Sequence, residues 1–227
     1  SMSADFKGLL HNFEAQAKIT TAVGNIDLIG SSNRENPQDN ITYQAKINSK
    51  QFDIGKFLGI EILGNGALNV DAKAKVGDLK NLKCDLIANL ENFEINGNRY
   101  NSIEVEGEMK EGIISAQCDI FDQAAMVNLN CEMDLMNNMA TVLRADLNEV
   151  NLQKMNFFNF PDTTAVISTD LIARVNGFNL DNLRAFIDFR NAIISTQSKN
   201  YDIDYLNIRT RNDSIENILT LNSNILS

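Results

Sequence analysis

Ala67-Leu-Asn-Val-Asp-Ala-Lys-Ala-Lys-Val76 alternates without a break. Leu68, Val70, Ala72, Ala74 and Val76 fall on one side, and Asn69, Asp71, Lys73 and Lys75 on the other. That period of two marks a strand with one buried face. Just before it, Lys50-Gln-Phe-Asp-Ile-Gly-Lys-Phe-Leu-Gly59 reads as the end of a strand followed by a single apolar-faced turn. Asp53 is placed to cap that turn, and Ile54, Phe57 and Leu58 share a face of it. Glycines at Gly55, Gly59, Gly64 and Gly66 keep it short.

The same order returns about a hundred residues later, where Val150-Asn-Leu-Gln-Lys-Met-Asn-Phe157 is followed by Val166-Ile-Ser-Thr-Asp-Leu-Ile-Ala-Arg-Val175. Phe52 aligns with Val150 at an offset of 98, and Asp71 with Asp170 and Val76 with Val175 at 99. Leu79-Lys-Asn-Leu82 aligns with Leu180-Asp-Asn-Leu183 at 101, and Gly112–Ile120 loosely with Asn217–Ile225 at 105. An offset that drifts upward is what small loop insertions produce. The expected organisation is a lead-in segment over residues 1–11, in which Ser1-Met2 reads as a cloning remnant, then a β repeat unit over 12–135. A second unit over 136–227 continues it.

Outward from this pair the alternation persists. Phe13, Ala15, Ala17 and Ile19 share a side, as do Ile41, Tyr43, Ala45 and Ile47, with a polar loop at Ser31–Asn40 between them. Cys84, Leu86, Ala88 and Leu90 line the next strand, and Phe93 and Ile95 follow after a parity flip that predicts a bulge. Asn96-Gly97 is a hairpin signal. Val127, Leu129, Cys131, Met133 and Leu135 alternate strictly, and Leu143, Ala145 and Leu147 lead into the second copy. Residues 3–11 read as a helical turn or a strand. The fold class expected is all-β: an elongated, curved, mostly antiparallel sheet of stacked repeats with short helical turns, whose apolar side forms a groove.

Composition narrows the function. The 227 residues carry a net charge of -10, with 44% hydrophobic and 22% charged residues. Such a chain folds, and without a run of Lys or Arg it lacks the footprint that holds a phosphate backbone, so no nucleic-acid partner is expected. The same balance argues against attraction to anionic headgroup surfaces. No apolar run is long enough for a membrane-spanning helix.

Catalytic chemistry is not expected either. His11 is the single histidine, which leaves nothing to build a histidine triad or a multi-histidine metal site. Cys84, Cys118 and Cys131 sit at apolar parity without Cys-x-x-Cys spacing, and read as small buried hydrophobes. Asp119, Asp122, Glu132 and Asp134 suit a solvated face better than a carboxylate pair for glycoside hydrolysis. No phosphate-binding glycine motif or calcium loop occurs. The reading is a non-enzyme without metal or cofactor.

What remains is the apolar face. Its ordinary reading is a core covered by a second layer, but no amphipathic helix in the chain is long enough to cover it. Left open, it would form a trough for acyl chains, lined by Leu68, Val70, Ala72, Leu86, Ala88, Leu90, Val127, Leu129, Met133, Leu143, Leu171, Ile187 and Phe189. The corners would be closed by Phe52, Ile54, Phe57, Leu58, Leu152 and Met155. At about 0.8 kcal/mol per buried methylene, a chain of roughly sixteen carbons would gain on the order of 10 kcal/mol at most. A carbohydrate-binding or adhesive surface module is the alternative, and would need Tyr43, Tyr100, Tyr201 and Tyr205 on the polar face. An enzyme on a β-helix scaffold is the weakest reading.

Phe52-Asp-Ile-Gly-Lys-Phe-Leu-Gly59, Gly66-Ala-Leu-Asn-Val-Asp-Ala-Lys-Ala-Lys-Val-Gly77, Asp78-Leu-Lys-Asn-Leu82 and Phe93-Glu-Ile-Asn-Gly-Asn-Arg-Tyr-Asn-Ser-Ile-Glu-Val-Glu-Gly107 together resemble the AsmA-like superfamily. The TamB (translocation and assembly module) branch of Bacteroidetes-type Gram-negative bacteria is the nearest match, over roughly residues 12–225. Copy two departs from the pattern at Asn156-Phe-Phe. The resemblance implies a β-taco groove section in the periplasm, belonging to a very large envelope protein whose inner-membrane anchor lies outside this segment. It further implies phospholipid or another acyl-chain ligand as cargo, an outer-membrane barrel partner for the full-length protein, and a role in outer-membrane biogenesis. It carries over no catalytic residue.

Overall fold

The computed structural model describes residues 1–9, 11–34, 36, 40–75, 82–123, 125–155, 165–176, 184–212 and 217–225. Val76, Leu79–Asn81, Asn156-Phe-Phe and the Leu180–Leu183 turn lie outside them, as does part of the Ser31–Asn40 loop. The chain forms two compact units, Ser1–Gly112 and Ile113–Ser227. That division comes before the boundary at residue 135 that the strand–turn echo predicts. An echo marks where a motif recurs, whereas the units follow where strand pairing is densest.

In the first unit the strands are β1 (Met2–Leu9), β2 (Asn12–Thr21), β3 (Gly24–Asn33), β4 (Thr42–Asp53), β5 (Asn65–Lys75), β6 (Lys83–Ile95) and β7 (Asn98–Lys110), with helix α1 (Ile54–Leu58) after β4. In the second they are β8 (Ile113–Phe121), β9 (Met126–Asp134), β10 (Ala140–Asn151), β11 (Val166–Asn176), β12 (Arg184–Ser195), β13 (Asn200–Asn212) and β14 (Asn217–Ser223), with α2 (Leu152–Met155) after β10. Within each unit every strand pairs antiparallel with the next in sequence. Among the described residues the first and last strands of a unit do not pair with each other, so each sheet is open. The chain is all-β and antiparallel, as its alternation predicts.

The lead-in is a strand, not a helical turn: Met2–Leu9 pairs along its whole length with Ile19–Asn12. The β6–β7 hairpin closes at Asn96-Gly97, both left-handed (φ 51° and 80°), with Ile95 opposite Asn98. The parity flip before Phe93 is made differently from expectation. No residue is inserted there, since Glu91↔Ser102 and Phe93↔Tyr100 keep one register. A left-handed Asn92 (φ 49°) turns the strand instead, a conformation asparagine tolerates better than most residues.

Inserted residues do occur at the two corners. Between Ser49 and Phe52 the register of β4 against β5 shifts, and between Leu147 and Val150 that of β10 against β11 shifts in the same way. Ser49 faces Leu68 and Phe52 faces Gly66, so three steps along β4 match two along β5. The extra residue brings Phe52, and likewise Val150, back to the apolar side, and adds local twist. A helical turn follows each bulge. Asp53 Oδ1 accepts the Lys56 N–H at 2.9 Å, and Asn151 Oδ1 accepts the Lys154 N–H at 2.9 Å, the same cap 98 residues on. Gly59 ends α1 in the left-handed region (φ 72°), the usual glycine role at a helix C-terminus.

The offset then grows. The pair Ser49–Leu68 is matched by Leu147–Thr169, which places β11 at an offset of 101 from β5, not the 99 that Asp71 and Asp170 suggest. A difference of two residues preserves the apolar side, and for that reason the alternation alone did not reveal it.

Candidate functional site

Register sorts the predicted trough residues into contiguous rows. In the first unit Ser49–Leu68–Leu90–Ile103, Ile47–Val70–Ala88–Val105 and Ala45–Ala72–Leu86–Gly107 run side by side across β4 to β7. All six residues expected here occupy one block on β5 and β6. In the second unit the rows are Leu147–Val127, Leu129–Ala145–Leu171–Phe189, Cys131–Leu143–Ala173–Ile187 and Met133–Thr141. The seven expected residues therefore share one face of that sheet. Alternation did not reveal which strands are neighbours, so it missed equally central members: Ile103, Val105, Ala145 and Ile208.

Among the described residues, the face of the first unit is sealed at one end. Phe93, Tyr100 and Ile103 are each 2% exposed, and Phe52, paired with Gly66, is 3% exposed. A side chain at Gly66 would place its Cβ 2.7 Å from Phe93 Cδ2, so the ring lies directly over that glycine. Away from this plug, Val70, Ala72, Leu86 and Leu90 are only half-buried, as are Leu129, Met133, Leu143, Leu171, Ile187 and Phe189. Leu68, Ala88 and Val127 are buried. Neither unit has, among its described residues, a second sheet or a helix laid over its apolar face.

The corner assignment needs correction. Phe52 is buried, and Ile54, Leu152 and Met155 are half-buried. Phe57 and Leu58, however, are 65% and 57% exposed and plug nothing. A helix of five residues is too short to turn both back onto the sheet. Phe57 only stacks at the rim, its ring centroid 5.5 Å from that of Phe52. The plug is Phe93 and Tyr100, on the hairpin across from the corner.

The polar faces are hydrogen-bonded ladders. Asp119 accepts from Gln117 at 2.8 Å and from Asn128, and Asn130 donates to Asn128 at 2.7 Å. Asp134 accepts the Met136 N–H at 2.9 Å. Cross-strand pairing puts Lys46 Nζ 2.9 Å from Asp71. It is exposed, and such pairs contribute about 0–1 kcal/mol. The Lys56 N–H, then the Lys56 ammonium, hold the Asp53 carboxyl below its ordinary pKa. Burial pushes the Cys118 thiol up, with Asp119 adding to it, and burial also raises Cys131. All three cysteines are free.

One feature escaped the sequence. No run of Lys or Arg exists, yet pairing sets Val142, Arg174, Phe186 and Arg209 in one row on the polar face of the second unit. Arg174 Cζ lies 5.9 Å and Arg209 Cζ 5.0 Å from the Phe186 ring centroid. Only the register of three hairpins reveals this cluster.

Comparison with known protein families, with curated proteins and with solved structures returns no match for this chain.

Proposed function

We propose that the chain is a non-enzymatic section of an apolar β groove that shields acyl chains, phospholipid above all, between two membranes. The observation that carries this reading is the half-buried apolar face of each unit, plugged at one end in the first, with nothing among the described residues of the same unit laid over the rest. A water-soluble sheet loses stability by leaving such a surface wet, at about 25 cal/mol per Å². An apolar ligand removes that cost. Seven strands at ~4.8 Å spacing give a row of roughly 29 Å, against roughly 15 Å for one leaflet's hydrocarbon. A single tail therefore fills about half a row, and repetition offers equivalent neighbouring places.

The sequence resemblance to the AsmA-like superfamily and its TamB branch supports the same reading. It extends it to a periplasmic location, an inner-membrane-anchored parent protein, an outer-membrane barrel partner and a part in outer-membrane biogenesis and protein assembly. Against the adhesive alternative, Tyr100 belongs to the plug and Tyr43 packs 6.5 Å from Phe13 on the apolar side. Only Tyr201 and Tyr205, at 50% and 38% exposed, remain for a glycan. Native mass spectrometry of the purified chain tests the proposal. Phospholipid co-purifies with the unaltered protein and is lost in Leu129→Asp and Ile187→Asp, whose strand circular dichroism is retained. Lipid-free protein, or variants that keep their lipid, refutes it.

A further inference from the structure

The chain divides its cations unevenly. Ten of its twelve lysines lie in Ser1–Gly112, and six of its eight arginines in Ile113–Ser227. The second unit is acidic, with fourteen Asp and Glu against eight cations. Three of its arginines nevertheless converge where β11, β12 and β13 meet. Arg174 and Arg209 flank the Phe186 ring, and Arg184 lies two residues before it.

These arginines line a cavity of about 650 Å³ together with Val142, Phe186 and Thr210. Among the described residues, no Asp or Glu contributes to its wall. The buried Asp188, next along the same face of β12, is taken by Arg190 Nε at 2.7 Å. None of the three arginines forms an ion pair among the described residues. Stacking on Phe186 accounts for the placement of Arg174 and Arg209. It does not account for Arg184, nor for three like charges around an apolar hollow that lacks a counter-charge among the described residues.

We propose that Arg174, Arg184 and Arg209 form, around Phe186, a binding site for the phosphate group of an amphiphilic phosphate ester. Guanidinium forks match phosphate oxygens in pairs, and several can share one phosphate. Phosphate alone would leave most of the cavity empty, so the rest of the ligand is an apolar body resting on Phe186 and Val142. The site lies on the face opposite Leu143, Ala173 and Ile187, and it does not rest on the groove reading. Leu129→Asp, which disables the groove, leaves it intact.

The test follows arginine Nε–Hε resonances of the full chain by NMR during titration with inorganic phosphate and, separately, with dihexanoyl phosphatidylglycerol below its micelle concentration. Saturable shifts at Arg174 and Arg209 are expected. Affinity falls about tenfold or more in Arg174→Ala/Arg209→Ala, and by a smaller factor in Arg174→Lys/Arg209→Lys, which keeps charge but not the fork. Lys154→Ala/Lys199→Ala, remote in sequence, leaves it unchanged. Binding of the lipid alone identifies a lipid headgroup. Binding of phosphate as well, at comparable affinity, identifies a soluble phosphate ester. If neither probe saturates, or if the folded double alanine variant binds as the unaltered chain does, the site does not exist.

Discussion

Leu86 and Ile103 belong to the same apolar face but to different parts of it, and truncating each to alanine separates an open trough from a closed core. Ile103 is 2% exposed, pairs with Leu90 and sits beside the Phe93–Tyr100 plug. Removing a sealed aliphatic chain forfeits its transfer free energy and leaves a cavity, together about 2–5 kcal/mol. Leu86 is half-buried between Ala72 and Gly107, with nothing among the described residues of its own unit above it. Its truncation loses only the part of the side chain that is covered and encloses no void, about 1–1.5 kcal/mol. A gap of roughly 2 kcal/mol between the variants is therefore expected. A chain of two units need not unfold in one step, so the assay is urea unfolding combined with amide exchange read locally in β6 and β7. Equal losses of about 3 kcal/mol at both positions would mean that Leu86 is sealed, and the trough argument would fail with it.

Three further outcomes are expected. Gly66→Val drives a side chain into the Phe93 ring, 2.7 Å from the Cβ position. It costs about 1–3 kcal/mol by overpacking, measured as a lowered urea midpoint, while Gly30→Ala, whose Cβ meets nothing closer than 3.9 Å, costs much less. Asp53 has a lowered folded-state pKa, so its contribution is present above the unfolded carboxylate pKa near 3.9 and disappears as pH falls through the folded value. Protection of the α1 amides, taken relative to the intrinsic exchange rate at each pH, should fall selectively on acidification, and Asp53→Asn should show less of that pH dependence. An unchanged profile would remove the cap from the account. Cys118 has its thiol pKa raised by burial and should alkylate more slowly at pH 8 than a free small-molecule thiol. Unfolding in urea should abolish the difference.

Much of this architecture is written in the residues, because a strand with one wet face leaves a period of two. Met2–Leu9 aside, the strands fall where Phe13–Ile19, Leu68–Ala74 and Val127–Met133 alternate, and the Asp53 cap and Asn96-Gly97 hairpin carry their own local chemistry. Register between strands does not leave such a trace. A slip of two residues keeps every side chain on its face, and so β11 sits two positions from where Asp170 suggested. Phe57 and Leu58 share a helical face in sequence, but the length of α1 decides that this face looks outward. The Arg174–Phe186–Arg209 cluster draws on three strands, and its members become neighbours only through two hairpins.

The most direct test of the central claim asks which face an acyl chain touches. A fatty acid carrying a nitroxide along its tail is added to methyl-labelled protein, and the paramagnetic broadening of each methyl group is recorded. Ile47, Val70, Leu86 and Val105 line the proposed trough, whereas Ile29 and Ile87, at 48% and 52% exposed, project from the opposite face of the same sheet. The account predicts strong broadening of the first four and little at Ile29 and Ile87, although these two are the more accessible. Broadening that follows accessibility, with Ile29 and Ile87 affected most, would contradict it.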